Sequence, residues 1–202
     1  MTSKIQETLR KFKQLFRFGK GDNYSQFNDD TGILTLHGNA RVLKTLQIKA
    51  SELKSAGLNP ASFVSHGLDG ALQFAKNLTQ NSSLVFAIRK DLDRTEIPNL
   101  EIGWSSPATT GNVKIQVEYL WRSINEDTSS TTPDDTITEI IEVSGTANGY
   151  NYNTFPLCCP SSTDRIGQIQ ISRIGGDALD TADDVLNLIG ITIKYTSNKL
   201  GE

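Results

Sequence analysis

Residues 113–121 read Val-Lys-Ile-Gln-Val-Glu-Tyr-Leu-Trp. Val113, Ile115, Val117, Tyr119 and Trp121 fall on one side of a two-residue period, and Lys114, Gln116, Glu118 and Leu120 on the other. Such alternation marks a strand with one face turned to a core and the other turned away from it. Further β-prone runs lie on both sides, at 84–88, 100–104, 137–143, 150–157, 165–173 and 188–195. Pro156 and Pro160 close the run at 150–157. The run at 165–173 alternates in part, with Gly167, Ile169 and Ile171 set against Ile166, Gln168, Gln170 and Ser172. Short strands separated by polar turns, without a strand–helix–strand rhythm, predict a mainly β chain. The expected body is an antiparallel jelly-roll-like β-sandwich over residues 84–202.

The chain upstream of this body is less regular. Residues 22–83 read as a connector. Its clearest element is a β-hairpin over 32–43, with Gly38-Asn39 as the turn between two β-prone runs. Residues 50–56 suit a short helix, 62–76 carry a weak helical or irregular pattern, and 77–83 are polar. Near the other end, 178–187 suits a turn or a short helix.

Residues 1–21 are different again. Ser3 can cap a helix, and Gln6 can reach back to it. Ile5, Leu9, Phe12 and Phe16 follow at spacings of 4, 3 and 4, a seam on one helical face. Gly19 and Gly21 suit its end. Residues 1–20 carry a net charge of +5, against −8 for the rest of a chain whose total is −3. A helix this short is marginal in water, so it needs a surface to dock on. The partner-binding arm is therefore expected to use Lys4, Ile5, Leu9, Arg10, Lys11, Phe12, Lys13, Phe16 and Arg17. Docking on another protein is favoured over packing on the chain's own body. Membrane and nucleic acid are the less favoured partners.

Composition limits the remaining classes. With 37% hydrophobic and 21% charged residues over 202, a packed core is expected. No run of 18 apolar residues offers a membrane-spanning helix, and no apolar leader opens the sequence. Cys158 and Cys159 are adjacent, a placement that resists disulfide geometry and fits a reducing cytoplasm. They also lack zinc-site spacing. The two histidines, His37 and His66, lie far apart in the chain, with no nucleophile elbow to accompany them. The run Asp177, Asp180, Asp183, Asp184 is the best metal candidate, but its spacing departs from a calcium loop and suits a solvated turn. No catalytic residue, cofactor or metal is expected. Glu101 and Glu118 point outward from their strands. Trp104, Tyr119, Trp121, Tyr150 and Tyr152 could line a sugar-binding face, although aromatic residues in strands more often fill a core.

Two stretches resemble virion proteins of tailed bacteriophages that carry a C-terminal jelly roll, of the head-decoration and head-fibre type. One is Gly32-Ile33-Leu34-Thr35-Leu36-His37-Gly38-Asn39-Ala40. The other is the body pattern: the 113–121 strand, Gly167-Gln168-Ile169-Gln170-Ile171-Ser172-Arg173, the connection Asp177-Ala178-Leu179-Asp180, and the closing Ile191-Thr192-Ile193-Lys194-Tyr195. The resemblance implies a homotrimer with an N-terminal attachment segment and no enzymatic activity. The chain is short and has no fibrous stalk, which points to a compact protein that decorates or stabilises a capsid or a vertex. Its partners would be capsid or other virion proteins, met during assembly in the host cytoplasm. The alternative is a receptor- or carbohydrate-binding module of a tail or fibre, with a glycan as ligand. A sandwich-fold hydrolase is a third class, and it would need a polar cleft with perturbed carboxylates.

Overall fold

The computed structural model describes residues 17–27, 32–56, 59–127, 129 and 131–200. Its strands in chain order are β1 (Arg17–Lys20), β2 (Asn23–Phe27), β3 (Leu34–Leu36), β4 (Val42–Lys49), β5 (Lys54–Ala56), β6 (Ser62–His66), β7 (Asp69–Phe74) and β8 (Thr79–Ala87). There follow β9 (Asn99–Ser105), β10 (Asn112–Ser123), β11 (Asp135–Glu142), β12 (Asn151–Pro156), β13 (Asp164–Ile174), β14 (Leu186–Ser197) and β15 (Lys199–Leu200). The chain divides into two compact units. One draws on residues 1–44, 89–96 and 195–202, the other on 45–88 and 97–194.

The larger unit is the expected antiparallel sandwich. One sheet has the order β11-β10-β13-β8-β5, the other β12-β9-β14-β7-β6, with β4 pairing β14 beside that path. The pairings are nested: β7 with β14, β8 with β13, and β9 and β10 inside them. That nesting is the jelly-roll arrangement. The alternation of 113–121 is realised without a slip. Val113, Ile115, Val117, Tyr119 and Trp121 are all buried, as are Trp104, Phe155, Leu100, Ile102, Ile169 and Leu188. Trp104 donates to Asn153 Oδ1 at 2.9 Å, and Trp121 donates to the Cys158 carbonyl at 3.0 Å. Both ring N–H groups thus keep a partner when taken from water.

A charged pair sits in this core. Arg173 on β13 is 1% exposed. Its Nε and Nη2 donate to the two Asp180 oxygens at 3.0 and 2.7 Å. Nη1 donates to the carbonyls of Phe74 and Asp184, and Nη2 to that of Ala182. Each of the guanidinium's N–H groups is therefore used. Asp180 also accepts from the Lys114 backbone at 3.0 Å.

Segment 49–83, expected to be irregular or weakly helical, is largely strand. Among its described residues only Ala50–Glu52 turns as a 3₁₀ helix, while β5 joins one sheet and the β6–β7 hairpin extends the other. Ala71, Leu72 and Phe74 of β7 are buried there. β5 and β7 take partners distant in sequence, β8 and β14, which local periodicity does not disclose.

In the smaller unit the sheet order is β1-β2-β3-β15. Two expectations are corrected here. Arg17, read as the last basic residue of a helical arm, lies in β1, which pairs with β2 around the two-residue turn Gly21-Asp22. Gly19 and Gly21 have φ of +119° and +61°. The glycines read as a helix stop instead permit this tight reversal. The hairpin expected over 32–43 does not form. β3 pairs with β2 and β15, and a 3₁₀ turn at Gly38–Ala40 leads into β4, which pairs with β14. Gly38, at φ +55°, packs against Asn23, whose Oδ1 accepts from the Asn39 N–H at 2.8 Å. That contact carries the chain away instead of reversing it onto β3. The rest of the expected N-terminal helix lies outside the described residues.

Loop 89–96 is fastened within the same unit by two buried carboxylates. Asp91 pairs with Lys44 and accepts from Ser197 Oγ at 3.1 Å. Asp93 pairs with Arg41 at 2.7 Å and accepts from the Thr95 N–H and Oγ1. Burial opposes ionisation of both. The bonds from Lys44 and Ser197 to Asp91, and from Thr95 and Arg41 to Asp93, outweigh it and hold both carboxyls below their usual range. A lowered folded pKa contributes stability that is present above the unfolded value, about 3.9, and is lost as pH falls through the folded value. Amides bonded across this loop, those of Asp93 and Asn198, are therefore expected to lose hydrogen-exchange protection below about pH 4. Asp91→Asn should flatten that dependence.

The Arg173 cluster gives a second expectation. Asp180→Ala leaves an uncompensated buried charge and should cost about 3–5 kcal/mol in denaturant unfolding. Arg173→Met combined with Asp180→Leu should recover most of that loss.

Candidate functional site

The outward face of the β11-β10-β13-β8-β5 sheet is set by the register that buries its inner face. Glu118 lies opposite Gln170, and Leu120 opposite Gln168. Gln170 lies opposite Ser83, and Gln168 opposite Val85. Two rows thus cross three strands, Ser83–Gln170–Glu118 and Val85–Gln168–Leu120. Between them runs a groove of about 270 Å³, with Thr131 and Pro133 from the β10–β11 connection on its rim. That is just under the ~300–1,000 Å³ typical of enclosing small-molecule sites. It suits part of an extended ligand lying across the strands.

The groove is polar without being wet throughout. Gln170 Nε2 donates to Glu118 Oε2 at 2.8 Å, which orients both side chains. The Gln168 amide makes no hydrogen bond among the described residues and can offer a ligand both a donor and an acceptor. Val85, 63% exposed, supplies a dry patch beside it. Among the described residues, Glu118 is the one charged group in the lining. An anionic ligand would meet that carboxylate with no lining cation to offset it.

The other sequence candidates fall elsewhere. Lys4, Ile5, Leu9, Arg10, Lys11, Phe12, Lys13 and Phe16 lie outside the described residues. Arg17 places its guanidinium 3.5 Å from the Tyr24 ring centre, and Tyr24 stacks on His37 at 4.1 Å. His66 Nε2 is 3.1 Å from Ser105 Oγ. Ser105 is fully buried, so a substrate carbonyl cannot reach that oxygen. The acidic run is taken up by ion pairs and turns. Asp177 pairs with Lys114, Asp180 with Arg173 and Asp183 with Lys76, while Asp184 caps the Val185 N–H. Hydrogen bonds from Lys114 and from Lys76 hold the Asp177 and Asp183 carboxyls low. Trp104, Tyr119 and Trp121, read as candidates for a sugar face, are core residues. Burial pushes the Tyr119 phenol above its usual range, and its oxygen accepts from the Cys158 N–H at 2.8 Å. Tyr150 and Tyr152 remain exposed, away from the groove, on the opposite sheet.

Sequence reasoning placed Glu118 on an outward face, and the alternation of 165–173 put Gln168 and Gln170 together. It could not place β13 between β10 and β8. Only that register joins these residues to Ser83, Val85 and Leu120.

No protein-family model matches the chain, and no curated protein matches it. Among solved structures it is similar to an exo-β-1,3-galactanase from Phanerochaete chrysosporium with β-1,3-galactotriose, at 10% identity and a TM-score of 0.48, over 84% of this chain and 32% of that one. It is similar to a CBM35 from Cellvibrio japonicus Abf62 at 10% identity and a TM-score of 0.45, covering 77% and 99% of the two chains. It is also similar to the carbohydrate-binding module CBM36 in complex with calcium and xylotriose, at 13% identity and a TM-score of 0.44, covering 74% and 98%. The chain thus spans about a third of the length of the galactanase. Likenesses at this level do not bear on what the chain binds.

Proposed function

We propose that this protein is a non-catalytic glycan-recognition protein that holds a neutral saccharide in the groove of the β11-β10-β13-β8-β5 sheet. The observation that carries the reading is the lining itself. Amide, carboxylate and hydroxyl groups alternate with Val85 and Leu120, and the single charge among the described lining residues is negative. A pyranose offers hydroxyls that both donate and accept, together with apolar C–H faces. Gln168 and Gln170 suit the first, Val85 and Leu120 the second, and Glu118 turns anions away. The Gln170–Glu118 bond prepares the site before a ligand arrives, which lowers the ordering cost of binding.

Calorimetry with neutral hexaoses of xylan, β-glucan and β-galactan tests this. At least one should bind. Gln168→Ala should weaken it by about fivefold, in line with a lost hydrogen bond of ~1 kcal/mol, and leave the melting temperature unchanged. Binding unaffected by Gln168→Ala, Gln170→Ala and Glu118→Ala would refute the groove as the site.

A second reading, compatible with the first, is the virion decoration protein that the sequence resembles. One observation favours it. The edge strand β1 exposes Arg17 and Lys20 and leaves Phe18 65% exposed, directly after the basic segment 1–16. Exposed apolar and basic groups on a strand that lies at the sheet edge among the described residues suit attachment to an acidic protein surface. Removal of residues 1–16 is expected to abolish incorporation into phage particles while the β-sheet circular dichroism is kept. Normal incorporation would remove the attachment role.

A further inference from the structure

On the opposite sheet, edge strand β12 lies beside β9, with Tyr152 opposite Gly103 and Thr154 opposite Glu101. Tyr150 reaches over β9 as well, and a Cβ at position 103 would collide with its Oη. Tyr152 leans along the strand, and its Oη lies 3.3 Å from Lys194 Nζ. The Lys194 ammonium is in turn paired with Glu101, which is buried. Two rings, two residues apart, therefore lie across one strand. Glycine supports one of them and a closed ion pair fixes the other. Tyr150 is 64% exposed and Tyr152 48%.

We infer that Tyr150 and Tyr152 form a second glycan-binding platform, on which one or two pyranose rings stack by their C–H faces. The aromatic quadrupole presents a negative ring face that attracts the polarised C–H groups of a sugar. An ammonium has three N–H donors, and Glu101 and Tyr152 take two from Lys194. The third is left for a ring hydroxyl at the platform's edge. The surroundings favour a sugar over other aromatic-seeking partners. Lys194 is neutralised by Glu101, and among the described residues no basic track accompanies the rings, so a phosphate backbone finds no counter-charge there. Thr154 and Thr192 flank Glu101 on the same face, so the surface is aromatic with hydroxyl surroundings and not a continuous apolar patch. The platform uses residues separate from the groove and stands or falls without it.

Affinity gel electrophoresis of the full chain tests the platform, with β-glucan, xylan, xyloglucan, galactan, mannan and dextran as separate probes. At least one polysaccharide should retard the protein. Tyr150→Ala and Tyr152→Ala should each weaken that interaction by roughly tenfold, and Tyr150→Phe and Tyr152→Phe should retain it. Gly103→Ala, which displaces the Tyr150 ring without removing it, should behave like Tyr150→Ala, its melting temperature being measured in parallel. No retardation by any probe overturns the platform. So does retardation that is lost in Gln168→Ala and unchanged in both tyrosine-to-alanine variants, an outcome that leaves the groove standing. The reverse pattern removes the groove and keeps the platform. Tyrosine-dependent binding of a dT20 oligonucleotide, with no polysaccharide bound, would assign the rings to nucleic acid and overturn the sugar.

Discussion

Arg173 carries its charge between the two sheets of the sandwich, and the arrangement around it follows from satisfying that charge. A guanidinium taken out of water is costly unless every N–H finds an acceptor. Here the acceptors come from β7, from the connection between β13 and β14, and from Asp180 within that connection. Asp180 also accepts from the backbone of Lys114, at the start of β10. One buried pair thus joins β13, β7 and β10 and shapes the approach to β14. Lys76–Asp183 and Lys114–Asp177 fasten the same connection at the surface, where such pairs contribute little each.

The register held in this way also places the ligand-facing chemistry. With Ile115 opposite Arg173 and Val117 opposite Ile171 on the inner face, Glu118 must fall opposite Gln170 and Leu120 opposite Gln168 on the outer one. A slip by one residue would bury Glu118 and Gln170 and expose Tyr119 and Ile169. The groove is therefore the reverse side of the core. The tyrosine platform arises similarly on the other sheet, where Leu100, Ile102 and Trp104 face inward and Glu101 and Gly103 are left to support the rings.

The chain's acids divide by burial rather than by spacing. Asp180, Asp91 and Asp93 are structural groups with charged partners, and Glu101 anchors a lysine beside exposed tyrosines. Glu118 is held by an amide, which leaves its charge in place to discriminate against anions. The aspartate-rich run, whose spacing departs from a calcium loop, is a set of ion pairs and turns: Lys114 and Lys76 reach it from distant strands, and Arg173 from the strand just before it.

The sandwich was legible wherever a strand has one buried face, since alternation records burial directly. Residues 113–121 show this most clearly, and the runs at 100–104, 137–143 and 188–195 likewise correspond to strands. Strands β5, β6 and β7 carry no comparable pattern. β5 pairs with β8, and the β6–β7 hairpin joins its sheet through β14, partners that a local window does not contain. Gly19, Gly21 and Gly38 show the same limit from the other side. Glycine permits a helix stop, a hairpin and a 3₁₀ turn alike, so the partner strand decides among them. Alternation by itself determined which side chains face outward, including Glu118, Gln168 and Gln170. Which of them become neighbours was decided only in the tertiary structure, because cross-strand adjacency depends on sheet order and register, and these are set by burial of the opposite face and by the Arg173–Asp180 pair enclosed there.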